Sequence, residues 1–139
     1  MVTVHSLPGP GTLDAFVRAF SEMEQPHGVM LLIHMSCKDN LITPEYSQRT
    51  LQLAMQYPDV VTGFISQNRI HNSSFITMMP GVSITATNDS LGQQYISPKA
   101  AILDRGADII IVGRGIVTST DPAATAELYR SIAWDAYSS

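Results

Sequence analysis

Short apolar runs alternate with helical patterns along the chain, and this alternation constrains the fold more than any other feature. Continuous apolar runs are typical of buried parallel strands, and they occur at 29–33, 60–65 and 109–112. Residues 2–6 also read as a strand, and 75–79 is a further, weaker candidate. Helical spacing of apolar side chains occupies most of the intervening stretches. Strands that alternate with helices predict right-handed crossovers and a mostly parallel α/β sheet.

The helix boundaries carry their own signals. Thr43-Pro44, Ser97-Pro98 and Asp121-Pro122 each place an oxygen-bearing residue before a proline, which predicts a helix start. Gly106 is predicted to end the helix over 98–105, and the last helix is expected to run from Pro122 towards Tyr137. Together with the helical pattern near residues 13–20, these signals predict about five strands and four helices in the chain.

Composition narrows the class of protein. The 139 residues are 45% hydrophobic and 14% charged, which is typical of one folded domain rather than a disordered chain. A formal charge of −4, without a basic patch, argues against nucleic acid or acidic membranes as partners. The single Cys37 excludes an internal disulfide and fits a reducing, cytoplasmic compartment. No apolar run approaches the roughly 20 residues of a membrane span, and no signal peptide is expected.

Gly113-Arg114-Gly115 directly follows the last apolar run and is the strongest local indication of a ligand. Glycine amides close on phosphate oxygens because no Cβ intervenes, while arginine adds a forked positive charge. The segment Ser90 to Tyr95 and the turn Met79-Pro-Gly-Val82 precede it. Barrel proteins often bind phosphate with the loops after their last two strands, so these segments favour a phosphate site.

Both an open doubly wound sheet and a (β/α)₈ barrel fit this alternation. A complete barrel typically needs about 250 residues, so the chain supplies only part of one. Because the chain opens almost at once in the strand candidate at 2–6, we expect further strands upstream of Met1.

Several of these motifs, in this order, resemble the carboxyl-terminal half of orotidine 5′-phosphate decarboxylase, including the domain fused in bifunctional UMP synthase. The matching segments are His5 to Gly11, Leu31 to Ser36, Thr62 to Ser66, Met79 to Val82, Ile110 to Gly115 and Leu128 to Tyr137. The resemblance implies a partial (β/α)₈ TIM barrel over residues 1–139, with roughly the last five strands and their helices. It also implies a homodimer in the intact family and no cofactor or metal.

The resemblance also implies roles for individual residues. Gln93, Tyr95, Gly113 and Arg114 match the family's phosphate-binding positions. Ser36 matches the residue that hydrogen-bonds the pyrimidine, and Met35 and Pro80 match neighbours of the base. The expected ligands are therefore orotidine 5′-phosphate and UMP.

The family's catalytic array has no match in the sequence. Decarboxylation in the family relies on alternating lysine and aspartate side chains on the second and third strands. The two lysines here, Lys38 and Lys99, fall in a loop and at a helix start, and His34 stands where the family usually has glutamate. We therefore expect no catalytic residues in this chain, and little or no carboxy-lyase activity from it alone.

Two other functions remain open. One is a non-catalytic half-barrel that binds a nucleotide monophosphate or complements another subunit. The other is a decarboxylase or epimerase of sugar phosphates on a related barrel, a function that accounts poorly for the segment from Gln93 to Tyr95.

Several single residues are expected to have no role in a site. The histidines lack metal-ligand spacing, and Asp108 is expected to serve stability. Trp134 and Tyr137 are expected to pack against the protein.

Overall fold

Five parallel strands form one sheet in the computed structural model, which describes residues 1–72, 74–85 and 92–139. The strands lie side by side in chain order: β1 (Val2–His5), β2 (Val29–Leu32), β3 (Val61–Ile65), β4 (Ile76–Met79) and β5 (Ile109–Ile110). The described helices are α1 (Pro10–Ser21), α2 (Pro44–Gln56), α3 (Pro98–Leu103), α4 (Arg114–Val117) and α5 (Pro122–Tyr137).

The strand order decides between the two predicted architectures. A doubly wound sheet reverses its strand order at a switch point, whereas a barrel adds each strand beside the preceding one. The order here is β1-β2-β3-β4-β5 without reversal. Right-handed crossovers then place the helices on one face of the sheet. The chain therefore forms five consecutive strands of a (β/α)₈ barrel, as predicted.

The core has two parts, one beside the earlier strands of the sheet and one beside the later strands. The first lies under α1 and α2 and contains Leu13, Val29, Leu31, Ile33, Ala54, Val60, Val61, Phe64 and Phe75. The second lies under α3 and α5 and contains Met79, Val82, Ala101, Ile102, Ala107, Tyr129 and Ala136. Tyr129 also ties α5 to the segment after β4, because its hydroxyl accepts a hydrogen bond from the Ile84 amide, with 3.1 Å between O and N.

The predicted helix starts are confirmed in atomic detail. The side chains of Thr43, Ser97 and Asp121 each accept a hydrogen bond from a backbone amide in the first helical turn. Each is followed by proline at the first helical position, where the missing amide hydrogen costs nothing. The sequence therefore specifies where the helices begin independently of their packing.

Three details differ from the prediction. The helix over 98–105 ends at Leu103, before the left-handed turn at Gly106 (φ +66°). The strand predicted over 109–112 is shorter, β5 covering Ile109–Ile110, although the Ile111 amide still donates to the Met79 carbonyl at 2.8 Å. The chain then enters α4 at Arg114, a fifth helix that no hydrophobic period indicated. Trp134 and Tyr137, expected to pack against the protein, are 60% and 58% exposed and instead stack on each other.

Candidate functional site

The carboxyl ends of the strands bring most of the predicted site residues to one cavity. A cavity of about 160 Å³ is lined by Ser36, Pro80, Gln93, Tyr95, Gly113 and Arg114, together with Gly81, Val82, Ile111 and Gly115. Six of the seven residues proposed from the sequence therefore meet at one place. The seventh, Met35, is 38% exposed and lies outside this lining. Ser90 and Leu91, also part of the predicted phosphate motif, lie outside the described residues.

Segment 92–96 is held between two loops by backbone hydrogen bonds. The Gln94 amide donates to the Ser36 carbonyl at 3.0 Å, and the Ile96 amide donates to the Gly81 carbonyl at 2.9 Å. Lys38 extends the first contact, because its amide donates to the Gly92 carbonyl at 2.9 Å. These bonds place Gln93 and Tyr95 beside the turn after β4.

Gly81 allows this close approach. Its φ of +76° is a backbone conformation that residues with a side chain rarely adopt. A Cβ at this position would also lie 2.7 Å from the Gln94 carbonyl oxygen and 2.8 Å from both Gln93 Nε2 and Ser36 Cβ. Glycine is therefore required where the loops after β2 and β4 meet segment 92–96. The sequence motif pointed to Pro80-Gly81, but only the fold shows what the glycine contacts.

Two further side chains support the cavity and were missed by the sequence analysis. Gln67 Nε2 donates to the Pro80 carbonyl at 2.9 Å, which ties the end of β3 to the turn after β4. The Tyr129 hydroxyl lies beside Gly115, where a Cβ would approach it to 2.6 Å. Gln67 belongs to no motif, and Tyr129 lies in the closing-helix segment, Leu128 to Tyr137, which gave no sign of a role at the site. Only their positions in three dimensions connect them to the cavity.

Arg114 supplies the positive charge of the cavity. It is the first residue of α4, and Gly113 precedes it with open space around its Cα, since a Cβ added to Gly113 would have no neighbour within 4 Å. The cavity is smaller than the roughly 300–1,000 Å³ of typical small-molecule pockets. Its size and its guanidinium suit a small anionic group rather than a whole nucleotide.

His34 precedes Ser36 by two residues, and its ring is held in one tautomer. Its Nδ1 is 2.8 Å from the Oγ of Ser66, a fully buried hydroxyl. That hydroxyl donates its only hydrogen to the Asn68 carbonyl at 2.6 Å, so Nδ1 of His34 carries the proton and donates to it. Burial lowers the pKa of His34, which keeps the ring neutral near pH 7.

We expect the His34 ring to make stability depend on pH. Its folded-state pKa lies below the ordinary value of 6.5, so the unfolded chain takes up a proton before the folded chain does. The free energy of unfolding should therefore fall as the pH drops from about 7.5 to about 5.5. Urea unfolding at both pH values should show a smaller fall in His34→Gln than in the parent, whereas the exposed control His71→Gln should keep the parent's fall. An equal fall in both variants would contradict the assignment.

Asp108 has a structural role, as expected. Its Oδ2 accepts a hydrogen bond from the Thr77 amide at 2.7 Å, at the amino-terminal end of β5 and away from the cavity.

In the described part of the chain, no group of three or more His, Cys, Asp or Glu side chains could hold a metal ion. None of the helices within that part is long and apolar enough to cross a membrane.

Fold and site together define a partial (β/α)₈ barrel protein with its candidate site at the carboxyl ends of the strands. Comparison with protein families identifies the particular barrel. The model of the orotidine 5′-phosphate decarboxylase / HUMPS family matches residues 1–129, and the chain belongs to this family.

Individual relatives agree with this membership. The chain is 41% identical over 140 residues to orotidine 5′-phosphate decarboxylase of Aureobasidium pullulans, covering 99% of this chain and 51% of the relative. It is also 41% identical over 140 residues to uridine 5′-monophosphate synthase of Bos taurus, covering 99% of this chain and 28% of that protein. The chain thus spans about half the length, or less, of these relatives.

A solved structure supports the fold. The crystal structure of orotidine 5′-monophosphate decarboxylase from Sulfolobus solfataricus matches with a TM-score of 0.70, over 96% of this chain and 61% of that one. At 19% identity this likeness concerns the fold alone.

Proposed function

We propose that this chain is the carboxyl-terminal portion of an orotidine 5′-phosphate decarboxylase barrel and supplies its phosphate- and base-binding end. The observation that carries the proposal is the meeting of Ser36, Pro80, Gln93, Tyr95, Gly113 and Arg114 around one cavity. The sequence analysis singles out all six of these residues, although they come from separate segments of the chain. In a complete barrel they would serve the conversion of orotidine 5′-phosphate to UMP and carbon dioxide, the reaction of a carboxy-lyase in pyrimidine biosynthesis.

Each residue has a distinct task in this proposal. Arg114 pairs its guanidinium with the phosphoryl oxygens, and the Gly113 amide, the Gln93 amide group and the Tyr95 hydroxyl add neutral hydrogen bonds. Ser36 hydrogen-bonds the pyrimidine, while Pro80 and Met35 contact the ring. These interactions position the nucleotide without forming or breaking a bond.

The chain is proposed to bind without catalysing decarboxylation. Stabilising a carbanion at the pyrimidine requires a lysine ammonium beside it, and an aspartate next to the departing carboxylate. Lys99 is the second residue of α3. Lys38 lies in the loop after β2 and is followed by Asp39, but neither lysine lies on a strand of the described sheet, where the family's array stands. We infer that the catalytic array belongs to the portion of the family barrel that this chain does not span.

The complete protein is proposed to act as a cytoplasmic homodimer without a metal or cofactor. A second candidate function is a non-catalytic half-barrel that binds a nucleotide monophosphate on its own. This candidate is favoured by the cavity lining, because all four residues assigned to the phosphoryl group lie in the described part of this one chain.

Binding and turnover by the purified chain test the proposal together. Isothermal titration should show that UMP binds and that uridine, which lacks the phosphate, binds at least tenfold more weakly. The absorbance assay with orotidine 5′-phosphate should show no decarboxylation above the buffer rate. Equal affinity for UMP and uridine would refute the phosphate site, and measurable turnover would refute the absence of a catalytic array.

A further inference from the structure

A second cavity lies at the opposite end of the strands from the candidate site. It has a volume of about 270 Å³ and is formed by the last turns of α1 and α2 and by residues 58–60, directly before β3. No residue of the phosphate-site cavity lines it. This region, called the α1–α2 cavity below, stands at the amino ends of the strands, where barrel residues usually serve stability.

Three aromatic rings line the α1–α2 cavity, those of Phe20, His27 and Tyr57. The rings of Phe20 and His27 lie against each other, with 4.3 Å between their centroids and 30° between their planes. His27 Nδ1 is 2.9 Å from the Gln25 carbonyl oxygen, and because a carbonyl can only accept, Nδ1 carries the proton. The first two rings are therefore held in place by contacts within the chain.

Tyr57 is fixed by a bond between the two helices. Its hydroxyl donates a hydrogen bond to Asp14 Oδ1 on α1 at 2.7 Å. This bond raises the pKa of Tyr57, so the phenol stays neutral and its proton stays directed at Asp14. The third ring is thus oriented as well, and the rings need no rearrangement to receive a ligand.

The charge around the α1–α2 cavity favours a cation. Among its described lining residues, Asp59 is the only aspartate or glutamate, and the lining has no lysine or arginine. The 13-residue helix α2 ends at the cavity with no basic residue in its last turn, so the negative end of its dipole is not offset. Arg18 lies in the last turn of α1 but outside the lining.

The same lining selects the kind of cation. A hard metal ion takes six or more oxygen ligands, and a primary ammonium needs acceptors for three hydrogens. Val17, Pro58 and Val60 supply neither. A quaternary ammonium carries alkyl groups instead of N–H groups, and aromatic faces attract it through their negative charge. The volume is just below the roughly 300–1,000 Å³ of typical ligand pockets, which suits a small ion.

We propose that the α1–α2 cavity binds a small quaternary ammonium compound, with the rings of Phe20, His27 and Tyr57 around the alkylated nitrogen and Asp59 as its counter-ion. The site uses no residue of the phosphate-site cavity. It is therefore independent of the proposed function, and either proposal can fail without the other.

A pair of probes with the same shape tests the proposal on the full chain. Choline and its neutral isostere 3,3-dimethylbutan-1-ol would be titrated separately and followed by ¹⁵N–¹H correlation spectra. Choline should give saturable shifts at the backbone amides of Ser21, Tyr57 and Val60, while the Gly113 amide does not shift. The neutral isostere should bind roughly tenfold more weakly, because it lacks both the attraction to the rings and that to Asp59.

Two pairs of variants separate the charge from the rings. Asp59→Asn should weaken choline binding about threefold to tenfold, whereas Asp135→Asn, which removes an equally exposed carboxylate on α5, should leave it unchanged. Tyr57→Leu should weaken binding about threefold, whereas Tyr57→Phe keeps the ring without the bond to Asp14 and should bind as the parent does. Thermal melting of each variant checks that it is folded.

Three outcomes would overturn the proposal. The first is the absence of saturable shifts at these amides, and the second is equal affinity for choline and its neutral isostere, which would show a merely apolar cavity. The third is a trimethyllysine peptide that binds at least tenfold more tightly than choline, which would assign the cavity to a protein segment instead. UMP titration of the parent in the presence of choline should give an unchanged affinity, as expected of two separate sites.

Discussion

Replacing Arg114 with alanine is expected to weaken UMP binding about 10- to 100-fold. Hydrogen bonds to charged groups typically contribute about 1.5–3 kcal/mol, and each 1.4 kcal/mol corresponds to a factor of ten in affinity. Among the described residues that line the cavity, Arg114 is the only arginine or lysine. Isothermal titration at low and moderate salt would measure the loss, and the parent's affinity should also fall as salt screens the phosphate.

Arg49→Ala provides the control for total charge. Arg49 is an exposed residue of α2 and lies outside the cavity lining, so its removal changes the net charge equally without touching the site. UMP affinity should stay within about twofold of the parent. If both variants lost affinity equally, binding would depend on overall charge, and the assignment of Arg114 to the phosphate would be wrong.

Replacing Gly81 with alanine is expected to damage both stability and binding. The left-handed backbone at φ +76° costs a non-glycine residue about 1–3 kcal/mol. The added Cβ would also displace Gln93, the Gln94 carbonyl and Ser36, which it would approach to 2.8 Å or less. Urea unfolding should show the lost stability, and UMP titration should show at least a tenfold loss of affinity.

Gly9→Ala separates backbone strain from the clash in the site. Gly9 has the same φ of +76°, but nothing lies within 4 Å of its Cβ position. This variant should lose stability through its own backbone strain, without a clash at the site, and should bind UMP as the parent does. Unchanged UMP affinity in Gly81→Ala would show that the contact with Gln93 and Ser36 has no part in binding.

Much of the fold could be predicted because local signals agree with the tertiary structure. Apolar runs such as Val29 to Ile33 became the buried strands, since both faces of a parallel strand are covered. The caps at Thr43, Ser97 and Asp121 act within one helical turn, so no distant contact is needed to interpret them. Strand order, by contrast, depends on pairing between distant segments, and periodicity alone left two architectures open.

The site was predictable to the extent that short motifs carry it. Gly113-Arg114-Gly115 indicates a phosphate site without a structure, whereas the roles of Ser36 and Pro80 depended on resemblance. The hydrogen bond from Gln67 to the Pro80 carbonyl joins residues that no motif connects, and only folding reveals it. The prediction that Trp134 and Tyr137 pack against the protein was wrong, because helical spacing of aromatic residues does not show which element, if any, lies against that face of the helix. Within the described chain these two rings stack on each other and stay mostly exposed.

The most direct test of the central claim is a UMP titration followed by ¹⁵N–¹H correlation spectra of the purified chain. We expect saturable shifts at the backbone amides of Gly113 and Gly115 and at the side-chain amide of Gln93, while the α1 and α2 amides do not shift. Uridine at the same concentrations should not produce the shifts at Gly113 and Gly115. Shifts that are absent at these residues, or that appear equally with uridine, would contradict a phosphate site at the carboxyl ends of these strands.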